Sequence, residues 1–166
     1  MKAIVYKKYG SPDVLQMEEV EKPTPDENQV LIKVHAASIN AGDYRMMRAD
    51  PFLVRLMGGL LKPKDPRLGW DVAGRVEAVG ENVKQFRPGN EVFGCANGTF
   101  AEYVVAKEDH LAMKPSNKSF EEAAALPVAA LTALQGSARL WLDSAGAKGF
   151  GPRRFGWCGY VCGAAC

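Results

Sequence analysis

Cysteine, histidine and long apolar runs are scarce in this sequence. Of its four cysteines only Cys95 lies outside the segment 158–166, so the body of the chain has no disulfide framework. The two histidines, His35 and His110, stand far apart with no Cys or Ser beside them, which argues against a hydrolytic triad. No stretch approaches the roughly 20 apolar residues of a membrane span. The longest, PFLVRLMGGLL at 51–61, is broken by Arg55 and two glycines. The opening MKAIVYKKYG lacks an apolar core of secretory length. The expectation is a cytoplasmic protein with no membrane partner. Charge of one sign is scarce as well. Asp143, Lys148, Arg153 and Arg154 account for the whole formal charge of +2, and residues 1–142 balance. That excludes a broad basic face, so no nucleic-acid partner is expected.

What is present suits one globular domain: 166 residues, 47% hydrophobic and 24% charged. KAIVYKK and VLQMEEV read as strands joined by the turn residues of GSPD. In QVLIKVHAASI, Val30, Ile32 and Val34 alternate with Leu31, Lys33 and His35, the pattern of a half-buried strand. NAGDYRMMRAD reads as a loop entering a short helix, with Asp43 placed to suit the dipole. GWDVAGRVEAVG is a strand whose interior Gly74 signals a bulge or a close backbone approach. Gly69, Gly80 and Gly89 read as turn or bulge positions. NEVFG, TFAEYVVAKE and HLAMKP complete about seven short strands separated by turn signals, so an all-β barrel or sandwich is predicted. Cys95 follows an apolar strand and reads as an inert buried thiol. SNKSFEEAAALPVAALTALQ then turns helical. Ser119 and Glu122 fit a capping box, and Pro127 should end that helix or restart a second one. From about Gly136 neither period is visible.

Four blocks, VHAASINAGDYRMMRAD, LGWDVAGRVEAVGENVKQFRPGNEVFG, GTFAEYVV and EEAAALPVAALTALQ, resemble in order and spacing the N-terminal domain of the medium-chain dehydrogenase/reductase superfamily. The similarity is greatest to its zinc-independent, quinone oxidoreductase-like branch and covers residues 1–135. The resemblance implies a mainly β fold: a GroES-like, partly open β-barrel with short helices at 1–118, followed by a connecting α-helix at 119–135 that leads to a Rossmann domain. It implies NADP as cofactor, a quinone or enone as small-molecule substrate, and frequent homodimers. The residues that choose NADPH over NADH would lie in the Rossmann domain.

Zinc-dependent members carry Cys at the position of Asn40 and a His-Glu pair at Trp70-Asp71. Asn and Trp are not useful zinc ligands, and no four-cysteine lobe is present, so no catalytic or structural metal is expected. Without a Lewis acid, the resemblance points to easily reduced acceptors. Asn40 would hydrogen-bond a substrate oxygen or the nicotinamide ribose region; its plainer role is a helix cap. Tyr44 would donate to a developing oxyanion, or simply pack with its hydroxyl satisfied. Thr132 stands where relatives contact the nicotinamide end, or else bonds its own helix backbone. Asp43 matches a cleft carboxylate, for which a helix-terminal charge is the simpler account. Trp70 reads as a pocket wall. Asn90 stands where relatives usually have Asp.

The last segment departs from the family. Residues 136–166 show no strand, glycine-rich turn and helix of the kind that holds a pyrophosphate. Back-translating the tail and shifting the frame by one base near Ser144 permits G-S-G-G-V-G between a strand and a helix start. The expectation is therefore an out-of-frame, disordered tail from about Gly136. The cysteines at 158, 162 and 166 lack both a fourth ligand and the spacing of a zinc site. Arg153 and Arg154 beside aromatics are too few for RNA binding. Such a chain would be inactive alone, a standalone binding module, or a non-functional truncation product.

Overall fold

The computed structural model describes the backbone of residues 1–144, with side chains to residue 137 apart from Met57. Expectations placed on 145–166, the three evenly spaced cysteines among them, lie outside the described residues. The β-branched stretches form strands where alternation predicts them. These are β1 (Lys2–Tyr6), β2 (Leu15–Glu19), β3 (Gln29–Ser38), β4 (Asp71–Val79), β5 (Glu91–Cys95), β6 (Tyr103–Lys107) and β7 (Leu111–Met113). β1 and β2 pair as an antiparallel hairpin, and the other five form an antiparallel sheet in the order β6-β3-β4-β5-β7. Ile4 N–H donates to the Phe100 carbonyl and Tyr6 N–H to that of Pro66, both at 2.8 Å, which fastens the hairpin to the sheet's loops.

The core lies on one face of this curved sheet. Val30, Ile32, Val72, Val76, Phe86, Val92, Val104 and Leu111 bury against each other there. Lys33 and His35 are exposed as expected from β3's alternation, whereas Leu31 is buried as well. The β3–β4 register breaks between Val34 and Ala36, opposite Gly74. A Cβ on Gly74 would sit 2.2 Å from the Lys33 carbonyl oxygen, the close approach read from the sequence.

The helices occupy the strand ends and the sheet's second face. α1 (Ala41–Arg48) leaves the end of β3 and is followed by α2 (Val54–Gly58), a short helix whose surroundings expose Phe52, Leu53, Leu56, Leu60 and Leu61. α3 (Phe120–Ala124) lays Ala123 and Ala124 on Ala73, and Phe120 stacks on His35 with ring centroids 4.4 Å apart. Its capping box is formed: Glu122 N–H donates to Ser119 Oγ, and Ser119 N–H to the Glu122 carboxylate. Pro127 opens a second helix, α4 (Pro127–Ser144). The connecting segment expected at 119–135 is thus two helices, with the restart at Pro127 that the sequence offered. The loss of helical period expected at Gly136 does not end α4, which continues to Ser144. One interior glycine costs about 1 kcal/mol, while each added residue of a nucleated helix gains a hydrogen bond, and the Ala, Arg and Leu that follow Gly136 are good helix formers.

Candidate active site

The ends of β3, β4 and β5 meet the start of α4 at one buried carboxylate. Strand alternation places Asp71 on the same face as Ala73, the face covered by α3 and α4, and Asp71 is fully buried. Ser38 Oγ–H donates to its Oδ2 at 2.7 Å, and the Asn40 carboxamide donates to the same oxygen at 3.0 Å. The Val128 N–H of α4 donates to Oδ1 at 3.1 Å, with the Cys95 thiol 3.7 Å from that oxygen. A buried carboxylate is tolerable only when its lone pairs are met in this way. The thiol expected to be inert is therefore part of a polar cluster, although it is buried as foreseen.

Asn40 caps α1 with an extended backbone (φ −110°, ψ 159°), and Asp43 reaches back to accept its N–H at 2.8 Å. The cap and the carboxamide's link to Asp71 coexist, so the structural role does not use up the amide. Asp43 also accepts the Gly69 N–H at 2.9 Å. Gly69 adopts φ 97°, and a Cβ there would meet Thr99 Oγ1 at 2.3 Å, so only glycine suits that turn. Burial pushes the Asp43 carboxyl above its usual range against the pull of those two donors, with Asp71 raising it further.

Trp70 lies over α1. A Cβ on Gly42 would be 2.3 Å from Trp70 Cζ3 and 2.6 Å from Cη2, so the indole needs glycine beneath it. Trp70 and Asp43 line one cavity of about 230 Å³ with Tyr6, Met46, Leu68, Lys64 and other residues. Asn40, Asp43 and Trp70 are thus brought together. Asn40, Tyr44 and Thr132 are not in the cavity wall, and Asn40 joins Asp43 and Trp70 only through its cap and its link to Asp71. Tyr44 is 46% exposed, and its hydroxyl accepts from Arg48 one turn on. Thr132 is exposed on α4, one turn beyond Val128. Asn90 accepts the Arg87 N–H at 2.9 Å within the Pro88-Gly89 turn. Sequence reasoning missed Asp71 as a hub and Tyr6 as a cavity residue. The donors to Asp71 are far apart in the chain, and Tyr6 reads as one aromatic in an ordinary strand.

Residues 26–116 match the alcohol dehydrogenase GroES-like domain. The chain belongs to the medium-chain dehydrogenase/reductase superfamily. It is 42% identical to the 2-methylene-furan-3-one reductase of Solanum lycopersicum, over 82% of this chain and 36% of that protein. Among solved structures it is similar to the quinone oxidoreductase of Coxiella burnetii, with 38% identity and a TM-score of 0.75, covering 84% of this chain and 44% of the other. The Escherichia coli quinone oxidoreductase complexed with NADPH matches at 32% identity and a TM-score of 0.68, covering 80% and 39%. The chain spans less than half the length of each. The GroES-like fold and the membership of an oxidoreductase family stand as read from the sequence. Among the described residues no helix is long and apolar enough to cross a membrane.

Proposed function

We propose that residues 1–118 form the substrate-side domain of a cytoplasmic, NADPH-dependent reductase of quinones or enones, with the helices from Ser119 onward connecting it to the cofactor unit. The observation that carries this is the buried Asp71 cluster, which holds the half-exposed Asn40 carboxamide at the end of β3 in a chain whose relatives are named quinone and enone reductases. The carboxamide is oriented before any ligand arrives, as a positioned donor or acceptor must be. Asn40 and Thr132 would meet the nicotinamide end, and the Asn40 amide suits it because Asp71 engages only its NH₂ side. When bound, the cofactor supplies the hydride. Asp43 keeps Asn40 at the helix start, Trp70 walls the acceptor site, and Tyr44 stands one turn above Asn40 as a hydroxyl donor.

The reaction proceeds without zinc in this reading. Asn40 and Trp70 offer no thiolate or imidazole, and the Asp71 carboxylate is already committed to hydroxyl and N–H donors. The described residues include no strand, glycine-rich turn and helix to hold a pyrophosphate, so the purified chain should not turn over NADPH. Joining residues 1–144 to the cofactor unit of a relative tests the reading. The fusion should oxidise NADPH in the presence of a quinone or a cyclic enone, and Asn40→Ala should lower kcat/KM about a hundredfold. A folded fusion that binds NADPH yet reduces neither acceptor refutes it.

A further inference from the structure

Tyr6 is 2% exposed and forms part of the cavity wall beside Trp70. Its ring packs with Met47 and Leu68 and lies 6.3 Å from that of Tyr9. Its hydroxyl has no hydrogen-bond partner among the described residues. It is not one of the fully buried unpartnered side-chain atoms, which among the described residues are Arg55 Nε and Thr99 Oγ1, so its oxygen is reachable from the cavity. Asp43 and Asp65, whose charges act on the hydroxyl, are two further residues of the same wall. Burial first, then Tyr9 and those two carboxylates, push the Tyr6 hydroxyl up to about 12, which keeps it a neutral donor at every working pH.

The remaining wall mixes apolar and polar residues. Trp70, Met46 and Leu68 supply the apolar part, and Lys64, Arg67 and Asn97 the polar part. The indole is fixed because it rests on Gly42. A cavity of about 230 Å³ is below the roughly 300–1,000 Å³ of drug-sized sites, so it suits one or two fused rings.

We propose that this cavity is a ring-binding site, in which the Trp70 indole stacks on a planar cyclic ketone or quinone and the Tyr6 hydroxyl donates to its carbonyl oxygen. This rests on the substrate class proposed above and narrows it: flat cyclic acceptors are favoured over open-chain ones. Tyr6 becomes a specificity-determining residue from a strand that carries no recognised motif.

The test uses the chain itself, without cofactor. The probe is 2,3-dimethyl-1,4-naphthoquinone, whose blocked ring carbons do not alkylate cysteine, and 2-hexanone is the open-chain comparator. Calorimetry gives affinity, and the Trp70 indole N–H resonance, assigned by its loss in Trp70→Phe, reports location. The naphthoquinone should bind and shift that resonance, and 2-hexanone should bind at least tenfold more weakly. Tyr6→Phe removes one hydroxyl from the wall and should weaken naphthoquinone binding about fivefold to tenfold, the scale of one hydrogen bond, with the thermal midpoint unchanged or raised. Quinone binding that leaves the Trp70 resonance still and is indifferent to Tyr6→Phe, but falls in Asn40→Ala, overturns the ring site and leaves the reductase reading standing. Absence of quinone binding from the folded chain overturns both.

Discussion

Asp43 and Asp71 are both almost fully buried next to Trp70, yet their surroundings differ. Asp43 accepts two backbone N–H groups, from Asn40 three residues away and from Gly69. It fastens one corner, where α1 meets the turn before β4. Asp71 gathers a hydroxyl, a carboxamide, a backbone N–H and a thiol from three separate segments. Burial leaves the Asp43 carboxyl above its usual range even with its two donors. The same residue type, equally hidden from water, therefore serves as a local latch in one place and a long-range tie in the other. What separates them is where the donors come from in the chain.

Removing the tie should cost most. Asp71→Ala strands three part-buried donors and the buried Cys95 thiol, and about 3 kcal/mol or more of stability should be lost, read as a lower urea midpoint. Asp43→Ala should cost at least about 1 kcal/mol less than that, because it strands two backbone donors where Asp71 meets three N–H or O–H donors and a thiol. Equal losses would break the comparison. Next comes the contact between the two regions. Gly42→Ala forces the Trp70 ring aside and should cost about 1–3 kcal/mol. Adding Trp70→Ala should recover part of that loss, a non-additivity measurable by a double-mutant cycle. Smaller still, Ser119→Ala should cost about 1 kcal/mol by uncapping α3, the helix that covers the Asp71 face, without moving the Trp70 fluorescence. A Trp70 response there would show that the two faces are not independent.

The subtlest difference is a slope. The Asp43 carboxyl lies higher in the folded chain than in the unfolded one, so the folded state holds the proton longer. Its contribution to stability should fall as pH rises from about 4, the unfolded value, through the raised folded value. Asp43→Asn removes this titration. The stability of the parent chain relative to that variant should therefore decline across the window, followed by urea unfolding at a series of pH values. A flat difference would mean that Asp43 is not held above its usual range.

The strands were legible because their information is local. Alternation in β3, glycine in β4 and the Pro88-Gly89 turn each act within a few residues. The Ser119–Glu122 box and the restart at Pro127 were legible for the same reason. Asn40 and Asp43 could be placed at a helix start from spacing alone. The Asp71 cluster could not be read so, because residues 38, 40, 95 and 128 meet only once the sheet has formed and α4 has docked. Trp70 was foreseen as a wall, but its dependence on Gly42 is a contact across 28 positions. Helix α4 outran its expected end because a weakened amphipathic pattern does not abolish backbone hydrogen bonding, and α2 was hidden in a stretch remarkable in the sequence only for its leucines.

The contact between Trp70 and Gly42 also sets an order on change. With the indole in place, a β-carbon on residue 42 must push the ring aside, so every side chain there is disfavoured until position 70 has shrunk. Once residue 42 carries a side chain, the indole cannot return. The two positions therefore change in a set order: position 70 shrinks before position 42 grows, and a library that varies position 42 alone selects against every side chain there.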